Sequence, residues 1–349
     1  MDFHKKTTLT SLLLPSVLSL SLTHCEFIGL EEEAEADDLA FASVLGLTGR
    51  CLNGSSLTLL AGENTGNVTT SCALLTGTVF VRSGATLTIP AGGEVYGEDA
   101  SSIFVLQGGT LNANGTASSP VVFTSGQPVG SRSAGDWGGI VLIGNAPSNR
   151  ATNSTEGTDP QNYGGASSND AGDSSGTLTY VRIEYAGDTV APGNELNCLS
   201  MYTVGSGTTL NNIQCHIGRD DSFEFFGGTV DAKFLVSTGV SDDDFDMDEG
   251  YTGRLQYLLG YKFNDGSAGV SSEDARGFEF DGAPSSNFGT GNGAASNAKS
   301  NARVANFTLI GSQGVYTDTQ TGQLQIRVRE GTTGRNAHGC NGGCTDIVT

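Results

Sequence analysis

The sequence predicts an all-β fold, a parallel β-helix whose every turn takes up roughly 22–24 residues. Three observations carry this. Residues of like character recur at a fixed step through the centre of the chain: Ile213, Leu235 and Tyr257 make one column, Cys215, Ser237 and Leu259 a second, and Leu210, Ala232 and Arg254 a third. The triplets Phe223-Glu224-Phe225 and Phe245-Asp246-Met247 keep the same step, and Phe278-Glu279-Phe280 follows after an inserted loop. The composition agrees: 51 glycines and 16% charged residues make poor helix material, and no long stretch has a 3.6-residue period. A β-sandwich would instead turn back about every 8–12 residues.

In chain order, residues 1–24 read as a secretory signal peptide. Lys5 and Lys6 precede an apolar run from Leu9 to Leu22, which is short for a membrane span. The run ends in Leu22-Thr23-His24-Cys25, which resembles the lipobox of bacterial lipoproteins, although His24 stands where the lipobox has a small residue. The resemblance implies lipidation of Cys25, an anchor in the membrane, and an exported protein of the outer membrane or cell surface. Cysteine arithmetic supports it. Of seven cysteines, Cys25 stands apart, and six fall into neighbours: Cys51 with Cys72, Cys198 with Cys215, and Cys340 with Cys344. An oxidising compartment makes three disulfides the expectation. Residues 25–45 contain Glu31, Glu32, Glu33, Glu35, Asp37 and Asp38, a self-repelling run expected to stay solvated as a disordered tether.

Residues 46–349 form the expected β-helix domain. Short β runs (Thr78 to Val81, Ala85 to Ile89, Ile103 to Leu106, Val121 to Thr124) alternate with Gly-rich turns, and Thr86-Leu87 recurs 24 residues later as Thr110-Leu111. Two stretches, 146–176 and 283–302, are rich in Gly, Ser, Asn, Asp and Ala and read as insertions leaving the coil. Residues 79–123 resemble the opening rungs of right-handed parallel β-helix proteins of the pectin-lyase-like superfamily. Gly135-Asp136-Trp137-Gly138-Gly139-Ile140, Tyr180-Val181-Arg182-Ile183-Glu184-Tyr185 and Asp221-Ser222-Phe223-Glu224-Phe225-Phe226-Gly227-Gly228 are similar to a subgroup of exported bacterial lipoproteins of largely unknown function. This resemblance implies the handedness and the fold, and adds little chemistry.

The net charge of −21 argues against nucleic acid as a partner, which needs a basic surface. Period-2 alternation points the acid of each triplet away from the core. Glu224, Asp246 and Glu279 should form one column, with Asp248 and Asp281 in the next. If Ile326-Arg327-Val328-Arg329 is the following rung, Arg327 and Arg329 extend the two columns. Stacked carboxylates repel unless a cation intervenes. Candidate Ca²⁺ ligands are therefore Asp242, Asp243, Asp244, Asp246, Asp248 and Asp281, since hard cations take oxygen ligands. Asp244, Asp246 and Asp248 open like an EF-hand, but Glu249 and Leu255 occupy the positions that need Gly and Glu, so that motif is rejected. His216 and His338 are the only histidines after Cys25, which speaks against a Ser-His-Asp triad. Two functions remain. One is a non-enzymatic binding or adhesion module for a glycan or a surface protein, stabilised by Ca²⁺. The other is a Ca²⁺-dependent polysaccharide lyase or glycoside hydrolase in which Glu224, Asp246, Glu279, Arg327 and Arg329 act.

Overall fold

A computed structural model describes residues 51, 54–150, 153–164, 168–191, 193–262, 275–282, 299–311, 326–329 and 332, and the backbone of 335–341. Among these residues there is no α-helix, and the chain coils into three parallel faces. Face A holds residues 62–64 and 79–81, then the strands Ile103–Val105, Ile140–Ile143, Leu199–Tyr202, Phe223–Phe226, Phe245–Asp248, Phe278–Asp281 and Ile326–Arg329. Face B begins with Asn67–Thr69, Thr86–Pro90 and Thr110–Asn114. It continues with the first halves of Gly176–Glu184, Thr209–His216, Ala232–Thr238, Arg254–Tyr261, Arg303–Ile310 and Arg335–Asn341, whose second halves belong to face C.

One residue bends each long strand from face B to face C. Tyr180, Asn212, Phe234, Tyr257 and Asn306 take positive φ of 49–61° and drop out of the register on either side. Such angles are uncommon for non-glycine residues, and their repetition rung after rung makes the corner a property of the coil. Strand alternation sends Phe223, Phe245 and Phe278 inward, with ring centroids 5.6 and 5.2 Å apart on successive rungs. Phe225, Met247 and Phe280 line the parallel column, all buried. Each such side chain contributes roughly 1.5–3 kcal/mol of burial.

The expected columns hold from the first to the second rung, where Leu210 pairs with Ala232, Ile213 with Leu235 and Cys215 with Ser237. At the third rung they move by one residue. The partners are Leu255, Leu258 and Gly260, not Arg254, Tyr257 and Leu259. The turn after Asp248 is one residue longer than the turn after Phe226, so the register advances while the sheets stay aligned. Thr86 and Leu87 pair with Thr110 and Leu111 as the repeat requires.

The first insertion does not simply leave the coil. Asn153–Ser154 and Asn162–Tyr163 form an antiparallel pair, and Asp188–Ala191 forms a second hairpin with Asn194–Leu196. Gly139, at φ +83°, lets the chain pass the Asn197 backbone, where a Cβ would stand 2.2 Å from the carbonyl oxygen. Cys51–Cys72 and Cys198–Cys215 are disulfides. The signal peptide, Cys25, the tether, most of 283–302 and Cys344 lie outside the described residues, as does the side chain of Cys340.

The Cys198–Cys215 bridge closes a loop of 17 residues inside the core. Replacing both cysteines by serine should lower the unfolding free energy by about 3 kcal/mol in denaturant titrations, and reductant, which also opens Cys51–Cys72, should cost the native chain more.

Candidate functional site

The outward side of face A changes character along the coil axis. On the early rungs it is apolar: Phe104, Val141, Ile143, Tyr202 and Phe226 are buried there beneath Tyr163 and Leu196 of the two hairpins. Tyr163 lies 4.7 Å from Tyr202, and Tyr202 stacks on Phe226 at 4.1 Å. The middle rungs are acidic. Register places Ser200, Glu224, Asp246, Glu279 and Arg327 in one column, with Asp281 opposite Arg329 in the next. The last described rung is therefore basic.

A cleft of about 310 Å³ opens over these middle rungs. Its floor is Glu224, Asp246 and Glu279. Asp220, Asp221, Asp242 and Asp243, from the turns leading into the strands, form one side. Glu156 and Glu195 reach in from the hairpins, and Arg276, Arg327 and Arg329 line the far end. Asn197 is fully buried at the base: its side-chain Nδ2 donates to Glu224, and its side-chain Oδ1 accepts the Asp221 N–H at 3.1 Å. Asp221 in turn accepts the Asp243 N–H at 2.8 Å.

The three arginines converge on one acid, and Arg329 also pairs with Asp281. Glu279 takes Arg276 at 3.6 Å, Arg327 at 3.4 Å and Arg329 at 2.6 Å. Among the described residues no Lys or Arg pairs with Glu156, Asp220, Asp221, Glu224 or Asp246, and Oδ1 of Asp246 is buried without a hydrogen-bond partner. Desolvation, joined by repulsion from neighbouring acids, pushes all five carboxyls up. Glu156 reaches about 8 and Asp220 about 7, and Asp221, Glu224 and Asp246 move in the same direction. Carboxylate oxygens of Asp220, Asp221 and Asp242 lie within 4.8 Å of one another, and so do those of Asp221, Glu224 and Asp246. Convergent oxygens without a counter-ion form the kind of donor set that a hard divalent cation takes.

The structure thus brings Asp242, Asp243 and Asp246 to the cleft with Glu224, Glu279, Arg327 and Arg329. Three other sequence candidates stand elsewhere. Asp244 is buried beside Lys262, 3.2 Å from its Nζ, and accepts from Ser237. Asp248 lies 3.9 Å from Arg150, and Asp281 pairs with Arg329. Glu156, Glu195, Arg276 and Asn197 escaped the sequence reading because none lies on the repeating strand. Asp220 and Asp221 lie in the turn before Phe223, off the repeating strand as well. Trp137 is buried, its indole donating to the Glu184 carbonyl at 2.9 Å, and His216 sits on face C beside Thr238.

A three-faced parallel coil with a carboxylate-lined cleft on one face defines the class of protein. Residues 62–340 match the family model of the pectate-lyase-like β-helix domain, and the chain belongs to that family. No curated protein and no solved structure matches it.

Carboxyls raised in the folded state bind protons that the unfolded chain has already released, so stability falls as pH rises. The decline should begin near the ordinary carboxylate range and continue through about 7, where Asp220 and Glu249 ionise, and about 8, where Glu156 does, with Asp221, Glu224 and Asp246 shifted in the same direction. Without divalent cations, melting temperatures should drop steadily across that window. A flat profile would contradict the burial of uncompensated charge.

Proposed function

We propose that the cleft binds a divalent cation of the Ca²⁺ type and, through it, an anionic glycan, as a non-enzymatic binding module of the cell envelope. The observation that carries this is the buried, unpartnered Oδ1 of Asp246 beside Asp221 and Glu224, with which no Lys or Arg among the described residues pairs. A cation held by Asp221, Glu224 and Asp246 would relieve their repulsion and leave coordination positions for a sugar carboxylate. The lipobox-like Cys25 and the acidic run behind it support a membrane-anchored location with the coil held off the surface.

A Ca²⁺-dependent lyase is the second reading, favoured by Arg327 and Arg329 next to the acids. A lyase of this kind needs a base to take the sugar proton. Arg329 is paired with both Glu279 and Asp281, and Arg327 with Glu279, so both guanidinium groups are engaged by carboxylates and neither is placed as a base. That weighs toward binding without cleavage.

Calcium at a hundred times its dissociation constant should stabilise the protein by about 2.7 kcal/mol. The gain should be larger at pH 8 than at pH 5, because protons compete for the same oxygens. Asp246→Asn should abolish the gain while leaving the cation-free protein as stable as the native one or more so. Calorimetry with Ca²⁺ alone, and melting with and without chelator, measure both effects. Absence of any calcium response in the native chain would overturn the proposal, and release of unsaturated sugars from a polyuronate would favour the lyase.

A further inference from the structure

We infer that the cleft is blind at its N-terminal end, so that it accepts the terminus of a linear anionic glycan and not a segment from the middle of one. This rests on the proposed cation-dependent glycan binding and specifies how the ligand enters. A chain lying along the acidic column would follow the coil axis from Arg327 through Glu279 and Asp246 to Glu224. Beyond Glu224 the same column continues as Ser200, Val141 and Phe104, which are 0%, 0% and 1% exposed. The floor is therefore covered from the next rung onward.

The cover is built in. Tyr163 and Leu196 seal the apolar rungs, and the Tyr163 hydroxyl donates to Glu249, 2.9–3.0 Å from the two carboxylate oxygens, while Arg150 lies 3.0 Å from the same carboxylate. The Gly157 N–H ties the two hairpins together by donating to Asn194 Oδ1 at 2.7 Å, and the Glu156 N–H pins the first hairpin to face A by donating to the Tyr202 hydroxyl at 3.3 Å. Their acids, Glu156 and Glu195, face the cleft from this wall. At the opposite end Arg329 is exposed. The terminal sugar accordingly meets the cation-binding oxygens, and the rest of the chain leaves past the arginine rung.

The test uses the full chain with calcium and linear oligouronates of defined length, unlabelled or carrying a bulky fluorophore on one end or the other. A blind cleft gives an affinity per chain that levels off at short length, and a label on one of the two ends cuts binding at least tenfold while the other label is tolerated. Affinity per chain that keeps rising with length, or indifference to both labels, would overturn the blind end and leave the binding proposal standing. Failure of every oligouronate to bind, with calcium still bound, would remove the glycan reading and this inference with it.

Discussion

In a parallel coil, each residue stacks on the one a full turn away at about 4.8 Å, and everything on face A follows from that spacing. For phenylalanine the stacking is favourable, and the Phe223, Phe245 and Phe278 ladder forms the core. For carboxylates it is costly. Glu224, Asp246 and Glu279 repeat at the same interval one position along, in a partly desolvated cleft where repulsion is stronger than in water. The geometry that builds the core therefore forces the protein to deal with a column of like charge.

Three of the charges on and around this face are answered locally. Glu279 is surrounded by Arg276, Arg327 and Arg329. Asp244 turns to Lys262, which fits because Gly260 has no Cβ to meet the carboxylate. Glu249 receives Arg150 and the Tyr163 hydroxyl. Asp221, Glu224 and Asp246 receive none of this. The Asn197 amide stabilises Glu224 as an anion, and desolvation with neighbouring acids still pushes its pKa up. A fold that places arginines with such economy on the next rung, and leaves these three groups unanswered, retains unsatisfied oxygens at one definite place.

The coil was legible because strand periodicity survives in the side chains. The floor column and its extension through Arg327 could be read from spacing, since Phe245 and Phe278 keep phase across a 33-residue step. Less legible were features that break the repeat. The extra residue in the turn after Asp248 shifted the pairing of Leu258 and Gly260, and nothing in the residue types announces it. Glu156 and Glu195 reach the cleft from hairpins far from it in sequence, which no periodic pattern encodes. Asp244 shows the converse. Its D-x-D-x-D spacing suggested a ligand, but a buried lysine from the following turn of the coil decides its role.

The hairpins also explain why acids that point away from the core are nonetheless desolvated. A bare face A would leave Phe104, Val141, Tyr202 and Phe226 in water, an exposed apolar patch that soluble surfaces avoid. Tyr163 and Leu196 cover it, and the same segments stand as a wall beside the acids that follow. Covering the apolar rungs thus reduces the hydration of Glu224 and Asp246, and desolvation is the largest cause of their upward shift. The apolar half of the face creates the electrostatic demand of the other half, so the capacity to hold a cation is tied to the packing of the hairpins and is not a property of the acidic column by itself.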